Sequence, residues 1–107
     1  MAEYLVELGF QVVALNLRIG RDEIDVVARK DQLVVVVEVR FRGARAWTTG
    51  FGSIQEPKRR HVRRAAQRLW QRRYARDPSV SRLRIDAAAV TFDAQGRALV
   101  NYCPAAF

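Results

Sequence analysis

Cysteine is almost absent from this chain of 107 residues: Cys103 stands alone. No intrachain disulfide can form and no cysteine-based zinc site can be built, which fits a reducing, cytoplasmic setting. Long apolar runs are missing as well. The longest, Leu33 to Val37, is far too short to cross a bilayer. The start, Met1-Ala2-Glu3-Tyr4-Leu5, has an acid where a signal peptide would have a basic flank and an apolar stretch. No membrane partner is therefore expected. Internal repeats and linker-like stretches are also lacking, so residues 1–107 read as one domain. Acid is scarce: 11 Asp and Glu face 19 Lys and Arg, for a net charge of +8. Half of the residues are apolar, which excludes a disordered chain. A folded domain with that charge calls for a polyanionic partner, nucleic acid before an acidic membrane surface.

What is present is a helix, three strands, a helix and two strands. Ala2 to Leu8 reads as a helix with Tyr4, Leu5 and Leu8 on one face and Gly9 as its stop. It opens with no N-cap residue, the pattern of the tail of a longer helix. Phe10 to Leu17, Ile24 to Arg29 and Leu33 to Phe41 read as strands. From Pro57, suited to a first helical turn, to about Arg76, the apolar residues Val62, Ala65, Ala66, Leu69 and Trp70 fall on one helical face. Asp77-Pro78 ends that helix. Leu83 to Phe92 and Ala98 to Cys103 are two further strands. A mixed α/β (α+β) domain follows, a central β-sheet flanked by helices. Its strand order is left open.

The few acids are not scattered. Glu23-Ile24-Asp25-Val26-Val27-Ala28 and Leu33-Val34-Val35-Val36-Val37-Glu38-Val39-Arg40 are apolar strands that each carry a carboxylate in their midst. A buried charge needs a partner. Side chains alternate along a strand, so Glu38 and Arg40 share a face, and Glu23, Asp25 and Val27 share a face of the neighbouring strand. A hairpin centred between Asp31 and Gln32 sets Asp25 opposite Glu38. Two facing carboxylates repel unless a cation lies between them. Magnesium, or manganese in its place, fits such a pair, and with Arg40 it offers what phosphodiester hydrolysis needs. The competing assignment is an internal salt bridge of Arg40 with either acid on a solvated sheet face.

The second helix is basic. Lys58 to Arg76 holds nine Lys or Arg and no acid. Arg60, Arg63, Arg64, Arg68 and Arg72 fall opposite the apolar stripe, a face suited to a phosphate backbone. A solvated helix face is the alternative, although unrelieved like charges weaken a helix. Arg40, Arg42 and Arg45 beside Trp47 suggest a second patch, with the indole a base platform or a loop anchor. His61 reads as a phosphate contact or a bystander, Cys103 as core and Asp86 as structural.

Asp25, then Glu38-Val39-Arg40 after a hydrophobic strand, resembles the D…(D/E)-x-K signature of the PD-(D/E)xK nuclease superfamily. More closely, the chain resembles the YraN family of predicted endonucleases, similar to archaeal Holliday-junction resolvases. Tyr4-Leu5…Gly9-Phe10, Asn16-Leu17-Arg18, Glu23 to Arg29, Val37 to Arg42, Phe51-Gly52, Lys58-Arg59-Arg60 and Ala65 to Leu69 carry the likeness. The resemblance implies a restriction-endonuclease-like core and a magnesium-dependent endonuclease on branched or structured DNA. Its catalytic residues would be Asp25, Glu38 and Arg40, with the first two as metal ligands. DNA contacts would come from Arg42, Lys58, Arg60, Arg64 and Arg68, with Glu23 and Gln55 as further candidates and a homodimer as the form. A non-catalytic DNA- or RNA-binding module that retains the fold is the alternative. The chain departs from the family pattern in three places. Arg40 replaces a lysine, Glu3 and Glu7 do not align with the acid of the family's first helix, and the stretch from Gly52 to Lys58 is short.

Overall fold

In a computed structural model of the chain, residues 1–41 and 59–107 are described in full, together with the backbone of residues 56–58. The elements run α1 (Ala2–Glu7), β1 (Gln11–Ile19), β2 (Asp22–Lys30), β3 (Leu33–Phe41), α2 (Glu56–Leu69), β4 (Arg82–Phe92) and β5 (Ala98–Cys103). All five strands lie in one mixed sheet in the order β1-β2-β3-β4-β5. β1, β2 and β3 form an antiparallel meander; β3 and β4 are parallel; β5 returns antiparallel to β4. A parallel pair needs a crossover, and α2 supplies it. The architecture is the expected mixed sheet flanked by helices, compatible with a restriction-endonuclease-like core.

The sheet has two apolar faces, and a helix covers each. Ala65, Ala66 and Leu69 of α2 pack on Ile24, Val27, Val34 and Val36. Leu5 of α1 packs with Phe10 on Val26, Ala28, Val35 and Val37 on the opposite face. The valine run of β3 is thus buried on both sides, which is why it reads as continuous and not alternating. α1 is only six residues long, and Leu8, expected on its apolar face, is 42% exposed. Cys103, expected in the core, is half-buried at the end of edge strand β5.

α2 does not stop as an α-helix. Trp70–Tyr74 continues it as a π-helical turn, closed by Ala75 N–H donating to the Trp70 carbonyl at 2.7 Å. The wider turn spaces the buried Leu69 and Tyr74 five residues apart while both face the sheet. Pure α-helical periodicity could not have anticipated that.

Candidate metal and nucleic-acid site

The β2–β3 hairpin has the expected register. Lys30 lies opposite Leu33, and the ladder runs to Val26 opposite Val37. The next step along it brings position 25 to position 38. There the ladder ends and the Asp25 side chain takes over: Val39 N–H donates to Asp25 Oδ2 at 2.8 Å. Asp25 is therefore tied to β3 beside Glu38, which is 4% exposed.

One geometric expectation needs correction. Asp25 does not simply share a face with Val27, because the alternation slips around it. Ile24 packs under α2 whereas Val26 packs under α1; two residues apart on a regular strand, they would share a face. β1 is irregular at the same level. Leu15 lies opposite Val26 and Leu17 opposite Ile24, and between them Asn16 takes a φ of 50°. The left-handed region is open to asparagine at little cost. Asp25 consequently lines hollows on both sides of the sheet. One, of about 260 Å³, is shared with Arg21, Asp22, Glu23 and His61. The other, of about 510 Å³, is shared with Met1, Leu15, Val39 and Phe41.

Among the described residues, no three of His, Cys, Asp and Glu come together as a metal-ligand set. Asp22 shows one reason. Arg64 grips it bidentately, Nε donating to Oδ2 at 2.8 Å and Nη2 to Oδ1 at 2.7 Å, with Arg68 Nη1 4.0 Å away. The Arg64 bond holds the Asp22 carboxyl below its ordinary value of 3.8, and the same bond raises Arg64. Arg64 and Arg68 thus do not stand on the outer face of the helix with Arg60: they reach down to the β1–β2 turn. Gly20 makes room for this, since its φ is 61° and a Cβ there would lie 2.1 Å from Arg68 Nη1. Arg60, Arg72 and Arg73 are exposed. Glu23 is exposed on the hollow that Asp25 shares. Arg42, Arg45, Trp47 and Gln55, and the Lys58 side chain, lie outside the described residues.

Arg40 lies two residues beyond Glu38 on β3 and is half-buried. Among the described residues, its Nε is buried with no hydrogen-bond partner. A buried N–H without an acceptor costs about 1–3 kcal/mol, so this atom has an unmet demand for an oxygen. Asp86 is the opposite case. Fully buried, it accepts from Arg84 Nε at 2.7 Å and Nη2 at 2.9 Å, from the Tyr102 hydroxyl and from Ala105 N–H at 2.8 Å. Its lone pairs are committed to the fold, which makes it architecture. Sequence reading found Asp86 but not its partners, nor the Asp22–Arg64 pair, because each joins residues distant in sequence or committed by tertiary packing.

A mixed sheet covered by helices, with a carboxylate within each of two adjacent strands and Arg40 two residues beyond one of them, places the chain among small α+β domains and is compatible with a restriction-endonuclease-like core. Family comparison narrows this. The model of the "Uncharacterised protein family UPF0102" matches residues 1–90, and the chain belongs to that family, the YraN family. A UPF0102 protein of Sorangium cellulosum is 46% identical over 104 residues, covering 97% of this chain and 72% of the relative. One from Dichelobacter nodosus is 38% identical over 84% of this chain and 69% of its own length. One from Synechococcus is 35% identical over 98% and 81%.

Proposed function

We propose that the protein binds nucleic acid, DNA foremost, and hydrolyses phosphodiester bonds in branched or structured DNA with a divalent ion. The observation that carries this reading is the buried Arg40 Nε, which has no hydrogen-bond partner among the described residues, on the strand that also bears buried Glu38, with Asp25 fastened to the same strand through Val39. A phosphate oxygen is the acceptor that a buried guanidinium N–H wants. Asp25 and Glu38 suit Mg²⁺ or Mn²⁺, which is commonly held by one or two carboxylates together with substrate phosphate and water. When bound, such an ion lowers the pKa of a water and polarises the phosphate. The chain's own residues do the rest. Asp25 and Glu38 supply the negative donor set, Val39 N–H orients Asp25, and Arg40 holds the phosphate and offsets charge that develops on it. Arginine neither donates nor accepts a proton at neutral pH, so Arg40 stabilises charge and transfers no proton.

A second reading, a binding module without catalysis, draws on the same facts differently. One Asp25 oxygen is already engaged by Val39, and Arg40 stands where the family has lysine. The discriminating experiment combines Mn²⁺ calorimetry with cleavage of a labelled four-way junction and a matched linear duplex. The variants are Asp25→Asn, whose side-chain oxygen can still accept from Val39, Glu38→Ala and Arg40→Lys. The nuclease reading expects Mn²⁺ binding lost in both acid variants, weak cutting abolished with it, and faster cutting by Arg40→Lys, whose compact ammonium positions water better. Junction binding with no metal binding and no cutting by wild type or Arg40→Lys leaves the binding module.

A further inference from the structure

The outer edge of α2 bounds a second groove, of about 560 Å³, on the side of the helix away from Asp25. Arg63, Gln67 and Trp70 line it from the helix, Arg82, Leu83 and Ile85 from β4. Among the described residues no aspartate or glutamate lines it. The nearest buried acid, Asp86, is committed to Arg84. The floor is apolar and aromatic: Trp70, Leu83 and Ile85 are half-buried against the core beneath α2. The rim is cationic and amide-bearing. The π-helical turn begins at Trp70 itself, and such widened turns recur at functional sites.

From these features we infer that the groove binds one unpaired nucleotide of a nucleic-acid strand, its base stacked on Trp70 and its phosphate held at Arg82. This rests on the nucleic-acid part of the proposed function and adds a location and a strandedness to it. An aromatic floor with a basic rim is the arrangement that single strands use. A paired base cannot lie on an indole at the bottom of a groove; an unstacked one can. Gln67 adds a donor and an acceptor at the groove wall, able to meet a base edge. An acidic peptide would meet the cationic rim but would leave the aromatic floor unused.

The groove stands in a definite relation to the candidate site. His61 lines the hollow at Asp25 and Trp70 lines the groove, nine residues along one helix, or about 14 Å at 1.5 Å per residue. At about 3.4 Å per stacked nucleotide, a strand along α2 that also passes around the helix would place its splayed base at least about four nucleotides from the Asp25 hollow. A substrate with a duplex–single-strand boundary fits that spacing.

The experiment measures binding in EDTA, where no metal takes part. Fluorescence anisotropy compares a labelled blunt duplex with the same duplex carrying a six-nucleotide dT tail, for wild type, Trp70→Leu and Arg82→Ala. Thermal melts accompany each variant, and Arg82→Ala, at an exposed position, guards against loss of fold in Trp70→Leu. Wild type should prefer the tailed duplex. Trp70→Leu should weaken tail binding roughly 5- to 150-fold and leave blunt-duplex binding unchanged. In a Trp47→Phe background, the remaining Trp70 emission should be quenched by oligo-dT. Equal affinity for both duplexes, an unmoved Trp70 emission, or competition by poly-glutamate as effective as by oligo-dT overturns the inference. Failure to bind any nucleic acid overturns it together with the proposed function. Tail preference that persists in a protein that binds no Mn²⁺ and does not cut upholds the groove and removes the nuclease reading alone.

Discussion

Replacing Asp86 by alanine should be the most damaging single change in this protein, although Asp86 takes no part in the proposed chemistry. The residue is fully buried and accepts four hydrogen bonds from three residues. Its loss leaves the Arg84 guanidinium, only 24% exposed, without a counter-charge. It also strands the Tyr102 hydroxyl and Ala105 N–H. Breaking a buried ion pair from one side costs about 3–5 kcal/mol. A domain of this size has only about 5–15 kcal/mol of stability in all. At roughly 4–8 °C per kcal/mol, the melting temperature should drop by about 12–40 °C. Tyr102→Phe removes one bond and should cost less, about 1.5–3 kcal/mol for a bond to a charged group. The assay is urea denaturation with thermal melts, with the denaturant slope held to that of wild type. Mn²⁺ affinity, measured well below the lowered melting temperature, should be unchanged. An Asp86→Ala protein that melts within about 3 °C of wild type would refute the reasoning. So would one that keeps its stability but loses Mn²⁺, which would return Asp86 to the site. Alkali gives a companion test. Burial first, and then the bond to Asp86, pushes the Tyr102 phenol well above its usual 10.0. A raised folded-state value means a contribution present below pH 10 and lost as pH climbs toward the folded value. Wild type should therefore lose stability above pH 10 more steeply than Tyr102→Phe.

Other expectations divide the basic helix by what each arginine touches. Asp22 is held below its usual 3.8 by Arg64, so its contribution is present above about pH 4 and lost as pH falls through the lowered folded value. In acid melts, wild type should exceed Asp22→Asn at pH 7 and converge with it in strong acid. Arg64→Ala should lower the melting temperature, whereas Arg60→Ala should leave it unmoved and instead take about 0.9 from the log–log salt slope of DNA binding. The reverse pattern would mean that the two arginines have exchanged roles. Gly20→Ala should cost about 1–2 kcal/mol because L-residues resist a φ of 61°. Urea titration reads that loss, and Arg68, displaced from above the turn, should then become more reactive toward phenylglyoxal.

The parts of this structure that were legible in the sequence are those that local rules determine. The Asp31–Gln32 turn sets a two-stranded register by counting, and the ladder from Lys30–Leu33 to Val26–Val37 obeys that count. The apolar stripe of α2 predicts its buried residues as far as Leu69 because a regular helix repeats every 3.6 residues. Where the backbone leaves regularity, counting fails. The face slip at Asn16 and Asp25 is invisible to an alternation rule, and so is the five-residue step from Leu69 to Tyr74. Pairings across the fold fail for a different reason. Nothing near Arg64 marks Asp22, 42 positions earlier, as its partner, and nothing near β3 marks β4 as a parallel neighbour. The two irregularities fall where function is proposed. A strictly alternating β2 would commit Asp25 to one face; the slip lets its carboxylate meet both hollows and still be tethered by Val39. A strictly α-helical end would rotate Trp70 or Tyr74 off its present environment; the extra residue lets Tyr74 stay buried while Trp70 floors the groove. Local rules therefore break at Asp25 and at Trp70, the two places where chemistry is proposed, as is expected when a fold departs from its most regular form in order to hold a site.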